Sequence, residues 1–270
     1  MHETPRMLTG IPSLDPMLEM GLPPGSVILL SGEIGAGNHE FAYTSALSLA
    51  GRAAEEYSLL PEIWYVTFTK LSESVINEME ISFRQEMVEG RIDQIHFLDL
   101  SDTYFEASIV PTAWYTSGDI LDRFRNRKTD SGDLLSELAR EIGAAPPGSL
   151  IICDSLTDIA TQYASAEEWN TFSGFLRGLQ RFSKVRNYTI YLLLSEGILE
   201  EHRMTEIKDC SDAVLAFHWE ENGARQRQRV MYIEKFRGLM PHLEEQNLVR
   251  FAVRISSESG FEVSNIRVVI

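Results

Sequence analysis

Cysteine is all but missing from this chain. Two in 270 residues, Cys153 and Cys210, give no disulfide framework and no zinc spacing. Cys153 falls inside an apolar strand pattern and reads as a buried thiol, so a reducing, intracellular compartment is expected. Long apolar runs are missing too. None approaches the ~20 residues that span a bilayer, and the opening "MHETPRMLTG" lacks a charged-then-apolar leader layout. The expectation is a cytoplasmic protein with no membrane partner. Lysine is scarce, five against 19 arginines, and the 24 cations face 40 carboxylates for a formal charge of −16. Non-specific affinity for nucleic acid comes largely from Lys and Arg neutralising phosphates, so this balance argues against a nucleic-acid partner. The basic run "RQRQR" (225–229) follows a hairpin signal and reads as a solvated strand face sooner than as a nucleic-acid contact. The six histidines show no ligand spacing such as H-x-x-x-H, and no Ser-His-Asp arrangement is visible.

What is present is a strand-helix alternation. The runs "SVILLSG" (26–32), "IWYVTFT" (63–69), "IHFLDL" (95–100), "SLIICDS" (149–155) and "YTIYLLLSE" (188–196) are nearly all apolar, as parallel strands covered on both faces should be. Helical patterns separate them, around "FAYTSALSLAGRAA" and "SESVINEMEISFRQEM". This predicts an α/β fold, a mostly parallel central sheet flanked by helices. After residue 212 four strand patterns follow with short connections, and "ENGA" (221–224) and "SESG" (257–260) are turn signals between them. The chain therefore reads as a single domain over 1–270, with a parallel core over about 8–212 and antiparallel C-terminal strands over about 213–270. The polar segment 101–147 resists assignment. "SGDILDRFRNRK" within it is a helix or an exposed loop, and "WYTSGD" (114–119) is an aromatic pair suited to a partner contact. Trp64, Trp114, Trp169 and Trp219 are expected in the core or at an interface.

The first strand runs into "SGEIGAGNHEF". Gly32 and Gly37 hold the spacing of the phosphate-loop pattern G-x-x-x-x-G-K-[ST], and Gly35 adds a third glycine. Glycine lets a loop curl its amides around an anion, and the helix that follows adds the positive end of its dipole. The two side chains the pattern supplies for chemistry are replaced. Asn38 stands where lysine bridges the outer phosphates, and His39 where a hydroxyl holds Mg²⁺. An amide dipole in place of a charge forgoes a charge-assisted contact of about 1.5–3 kcal/mol. Imidazole suits softer metals than magnesium. Glu33 adds a carboxylate to the loop. A working anion site and a turn kept for the fold both fit these residues.

The surroundings of the loop resemble the RecA superfamily, and most closely its KaiC and RadA-like branch. "LTGIPSLDPMLEMGLPPGSVILLSGEIGAGNHE" looks like that branch's opening, with Thr9, Gly10, Leu14, Asp15, Gly21, Leu22 and Gly25 in place. "WYVTFTKLSE" looks like its second strand, "LIICDSLTDI" like its Walker B strand, and "IEKFRGLMPH" like its K-x-R-G element. The likeness runs from about residue 8 to 264 and implies a RecA-like fold. It makes Asp154 the Walker B carboxylate, which in the family holds Mg²⁺ through water. A strand-end Asp capping a turn is the plainer alternative. It puts Thr69 and Lys70 where the family has a water-activating glutamate, a loss of general-base chemistry. Lys70 then either pairs with Asp154 and fills the site, or reaches the phosphates as a displaced lysine. It makes Lys235 and Arg237 trans fingers that contact a neighbour's γ-phosphate, or ordinary edge-strand cations. The reading that follows is a catalytically inactive KaiC/RecA-like module, regulatory or scaffolding, in signal transduction. No cofactor is expected, and the partner is a second copy or a paralogous ATPase. Two rivals stand: an ATPase binding ATP and Mg²⁺ with Lys70 or Lys235 as substitute lysine, and a DNA-binding recombinase paralogue.

Overall fold

The computed structural model describes residues 6–18, 21–55, 62–106, 108–115, 133–221 and 226–265. Among the described residues nine strands form one sheet in the order β3-β2-β4-β5-β1-β6-β7-β8-β9. The five apolar runs become β1 (Val27–Gly32), β2 (Ile63–Thr67), β3 (Ile95–Asp99), β4 (Leu150–Asp154) and β5 (Thr189–Ser195). Their pairings are all parallel. Every residue of β1 and β4 is buried, which is why these strands show no polar alternation.

β6 (Ala213–Glu221) corrects the expected boundary at 213. It pairs parallel with β1, so the parallel part of the sheet runs through it. The antiparallel part begins at β7 (Arg227–Phe236) and continues through β8 (Arg250–Ser256) and β9 (Gly260–Asn265). The turn that "ENGA" signals lies outside the described residues, and β6 and β7 on either side of it are antiparallel. "SESG" joins β8 to β9.

Helix α1 (Asn38–Glu55) follows the glycine loop, and α2 (Ser72–Ser82) and α3 (Gln85–Val88) follow β2. The helical pattern over 72–87 splits because Phe83 and Arg84 are extended and the Arg84 amide donates to Ser257 O at 2.7 Å. α1 to α3 and residues 7–18 cover one sheet face. Short α4 (Ser101–Glu106) follows β3. On the other face lie α5 (Leu134–Ala144), α6 (Leu156–Gln162), α7 (Ala166–Arg186) and α8 (Glu201–Cys210). Local chemistry sets their ends. Ser155 with Asp158, and Ser165 with Glu168, form reciprocal capping boxes for α6 and α7. Asn187 ends α7 in the left-handed conformation. Of segment 101–147, residues 116–132, which include the "SGDILDRFRNRK" stretch, lie outside the described residues. Trp114 is 79% exposed, whereas Trp169 is buried.

The antiparallel strands curl back over α1. Phe41 on α1, Phe217 on β6 and Phe261 on β9 meet edge to face, with centroids 5.3–5.8 Å apart. The edge strand is closed by its own chain. The Phe261 amide donates to Thr44 Oγ1 at 2.9 Å, and the Val263 amide to Ser13 Oγ at 2.8 Å. Edge amides satisfied in this way cannot template a foreign strand. Cys153 and Cys210 are both buried and free, and burial pushes the Cys153 thiol up to about 12. No helix among the described residues is long and apolar enough to cross a membrane.

Candidate functional site

The glycine loop sits at the carboxyl edge of β1, flanked by β5 and β6, where open parallel sheets place their ligands. Gly35 (φ +72°) and Gly37 (φ +116°) adopt backbone that side-chain-bearing residues avoid. A Cβ on Gly37 would also meet Ile255 Cδ1 at 3.1 Å and Phe261 at 3.3 Å. Gly32 is in the strand, and its glycine serves close approach instead: a Cβ there would meet Asn38 Cγ at 3.0 Å. The amides of Gly35, Gly37, Asn38 and His39 donate to no acceptor among the described residues. The loop thus keeps an open row of donors at the start of α1.

The side chains around it do something else. Asn38 is 4% exposed and folds back on the strand, its Nδ2 donating to Leu30 O at 3.4 Å. This turns Oδ1 toward His39 Nδ1, 3.3 Å away. His39 Nε2 lies 3.2 Å from Asp154 Oδ1. Both imidazole nitrogens therefore face side-chain oxygens, one of Asn38 and one of Asp154. Asp154, at the end of β4 and 2% exposed, accepts from Tyr65 OH on Oδ2 at 2.9 Å. Lys70 Nζ is 3.7 Å from the same oxygen. Burial pushes the Asp154 carboxyl up, but the His39 hydrogen bond, the His39 and Lys70 charges and the Tyr65 hydroxyl outweigh it. They hold its pKa below the ordinary carboxylate value. Lys70 is shared with Glu78 of α2 at 3.2 Å, and Tyr43 of α1 donates to the same Glu78 oxygen at 2.7 Å. Burial first, then the nearby Asp154 charge, raises the Tyr65 phenol well above its ordinary value. The outcome is a network of an imidazole, an ammonium, two carboxylates and two phenols beside the loop.

Of its members, the sequence marks His39, Lys70 and Asp154 individually. It does not show that His39 meets Asp154, and it gives no notice of Tyr43, Tyr65 or Glu78. One signal exists for Tyr43, since positions 39 and 43 share a face of a helix. Thr69 takes no part. Its hydroxyl donates to Asp158 Oδ2 at 3.4 Å, the acid of the α6 capping box.

Glu33 turns away from the cradle: its Oε2 accepts from the Trp219 amide at 3.0 Å. Trp219 Nε1 donates to Ile34 O at 3.2 Å, and Arg229 Nε to Gly35 O at 2.9 Å. Arg227 and Arg229 both lie against the Trp219 ring, at 4.5 and 4.4 Å. The described part of the "RQRQR" run thus braces the loop from β7.

A family model described as "ATPase: KaiC" matches residues 7–264, nearly the whole chain. The chain belongs to the KaiC ATPase family. A KaiC-like protein from the hyperthermophilic archaeon Pyrococcus horikoshii OT3 has the same fold at 20% identity, with a TM-score of 0.59 over 96% of this chain and 98% of that one. No curated protein matches by sequence. Within the KaiC-like frame, Lys235 and Arg237 lie at the opposite, amino edge of the parallel sheet, and they are engaged with their own chain. Lys235 Nζ donates to Lys208 O at 2.8 Å and Asp209 O at 3.1 Å, and Arg237 donates to Asp209 O at 3.0 Å. These are carbonyls of the last turn of α8, which cations stabilise. Arg237 also lies 3.7 Å from the buried Asp212, which pairs with Lys184 at 3.0 Å.

Proposed function

We propose that this KaiC-family domain does not hydrolyse ATP and acts as a regulatory or scaffolding module in the cytoplasm, in signal transduction, with a second copy or a paralogous ATPase as partner. The single observation that carries the reading is the state of Asp154. Its two oxygens face His39, Tyr65 and Lys70, so the positions where a hydrated metal would attach are taken by an imidazole, a hydroxyl and an ammonium. The donor set does not fit magnesium. The hydroxyl ligand is replaced by an imidazole, which prefers softer metals, and the carboxylate is already neutralised. Nor do positions 69 and 70, just after β2, hold a carboxylate to activate water, and Thr69 is bound to Asp158. The backbone cradle still suits a phosphate, but without a lysine to balance its charge.

Neither candidate substitute lysine is spare. Lys70 is divided between Asp154 and Glu78, and Lys235 closes α8. A DNA-binding reading loses its basic run, because Arg227 and Arg229 lie on Trp219. The test is turnover of Mg-ATP by the purified chain, beside a variant carrying Asn38→Lys, His39→Thr and Lys70→Glu. The parent should show background phosphate release and the variant should gain nucleotide binding by calorimetry. Turnover by the parent at a rate ordinary for an enzyme, about 1 s⁻¹ or faster, sinks the proposal.

A further inference from the structure

At 21 residues α7 is the longest described helix, and it spans about 30 Å. Its inner face is buried on the side of the sheet opposite α1. Its outer face carries a stripe at helical spacing, Glu167, Gly174, Gly178, Arg181 and Val185, every one of them exposed. The two glycines lie in the helix interior, where glycine destabilises relative to alanine. Nothing in this chain calls for them, since a Cβ on either would meet no atom within 4 Å. At the inner face the opposite holds: a Cβ on Gly25 would meet Lys184 Cα at 2.6 Å. Apolar surface extends the stripe, with Val185 72% and Phe182 36% exposed. Opposite charges stand on either side of the glycines. Lys184 is taken up by Asp212 at 3.0 Å, and Arg186 by Ala145 O at 2.8 Å. The side chains of Glu167 and Arg181 have no partner among the described residues.

We propose that this face docks a second copy of the chain, α7 antiparallel to α7, about a two-fold axis between Gly174 and Gly178. A two-fold contact has to be self-complementary, and this stripe is. The axis sets Gly174 of one copy against Gly178 of the other, so the backbones approach to the short end of helix packing, about 8 Å between axes. It brings Glu167 beside Val185 of the second copy and, one turn earlier, beside Arg181. Charge selects this occupant and this direction. Two chains of charge −16 repel one another, whereas α7 holds four cations against two carboxylates. Both carboxylates lie in its first turn and all four cations in its second half. A parallel pair would set like charges together, and an antiparallel pair matches them. One helix from each copy makes a small interface, below about 1,200 Å² of buried surface, so a reversible dimer of micromolar affinity is expected. The inference rests on the proposed function only where that names a second copy as partner. It is separate from the question of hydrolysis, which is decided at Asp154.

Sedimentation equilibrium of the full-length chain across the micromolar range tests this. A monomer–dimer equilibrium is expected. Gly174→Gln combined with Gly178→Gln fills the centre of the contact and should weaken the dimer about tenfold or more. The melting temperature of the monomer should be unchanged or higher, because glutamine is the better helix former. Arg181→Glu and, separately, Glu167→Arg set like charges together and should each weaken the dimer roughly three- to tenfold. Both reversals in one chain should restore it. The inference is overturned by a chain that stays monomeric throughout, by a dimer indifferent to the glycine pair, or by a double reversal that does not restore association. None of these results bears on turnover of Mg-ATP, and turnover does not bear on them.

Discussion

Asp154 sits among partners that all favour its anion, and that fixes the sign of its effect on stability. A carboxyl held below its ordinary value contributes stability that is fully present above the unfolded-state value, ~3.9. That contribution is lost as the pH falls through the lower folded-state value. Unfolding free energy, measured by urea titration across pH, should therefore fall on acidification below about pH 4. Asp154→Asn should lower stability at neutral pH and flatten that acid limb. A limb of unchanged slope would mean that His39, Lys70 and Tyr65 do not stabilise the anion. At this scale the sequence exposes identities and withholds meetings. For Lys70 the resemblance leaves two readings, pairing with Asp154 or reaching the phosphates. His39 hides its contact, since a histidine in the first turn of a helix gives no sign of which strand end it faces. Tyr65 hides its hydroxyl, because inside an apolar strand a tyrosine reads as core.

Among the elements, α8 depends on a neighbour for its C-terminus. Its last carbonyls are received by Lys235 and Arg237 from β7. Burial and the adjacent Arg237 charge push the Lys235 pKa down, so this lysine is held where its charge is disfavoured in exchange for capping a helix. Lys235→Met should cost about 0.5–1.5 kcal/mol, and native-state hydrogen exchange should show the last turn of α8 losing protection while β1 keeps its own. Equal loss of protection throughout the sheet would refute a local capping role. The glycine loop has a similar dependence. Trp219 and Arg229 hold its carbonyls from the β6–β7 ribbon, so its shape does not rest on a bound ligand. Boundaries such as the split between α2 and α3 escape a reading of periodicity, because the break is made by Ser257, over 170 residues away in sequence.

For the molecule as a whole, the Phe41, Phe217 and Phe261 cluster ties the antiparallel strands to the helix of the glycine loop. Phe261 is fully buried, so Phe261→Ala should cost about 3–5 kcal/mol. It should do so in one cooperative transition, with tryptophan fluorescence and far-ultraviolet dichroism changing together. Separate transitions would mean that the C-terminal strands fold as their own unit. By itself the sequence determined the parallel core, because strands buried on both faces must be apolar throughout. It also determined the glycine loop, because left-handed backbone there requires glycine, and the absence of the loop's lysine and hydroxyl. Only the tertiary structure decided that β6 runs parallel to β1 and that Lys235 and Arg237 close a helix of their own chain. It alone brought His39, Lys70 and Tyr65 around one carboxylate. Strand direction and side-chain meetings are set by contacts between residues far apart in the chain, and local pattern carries no record of them.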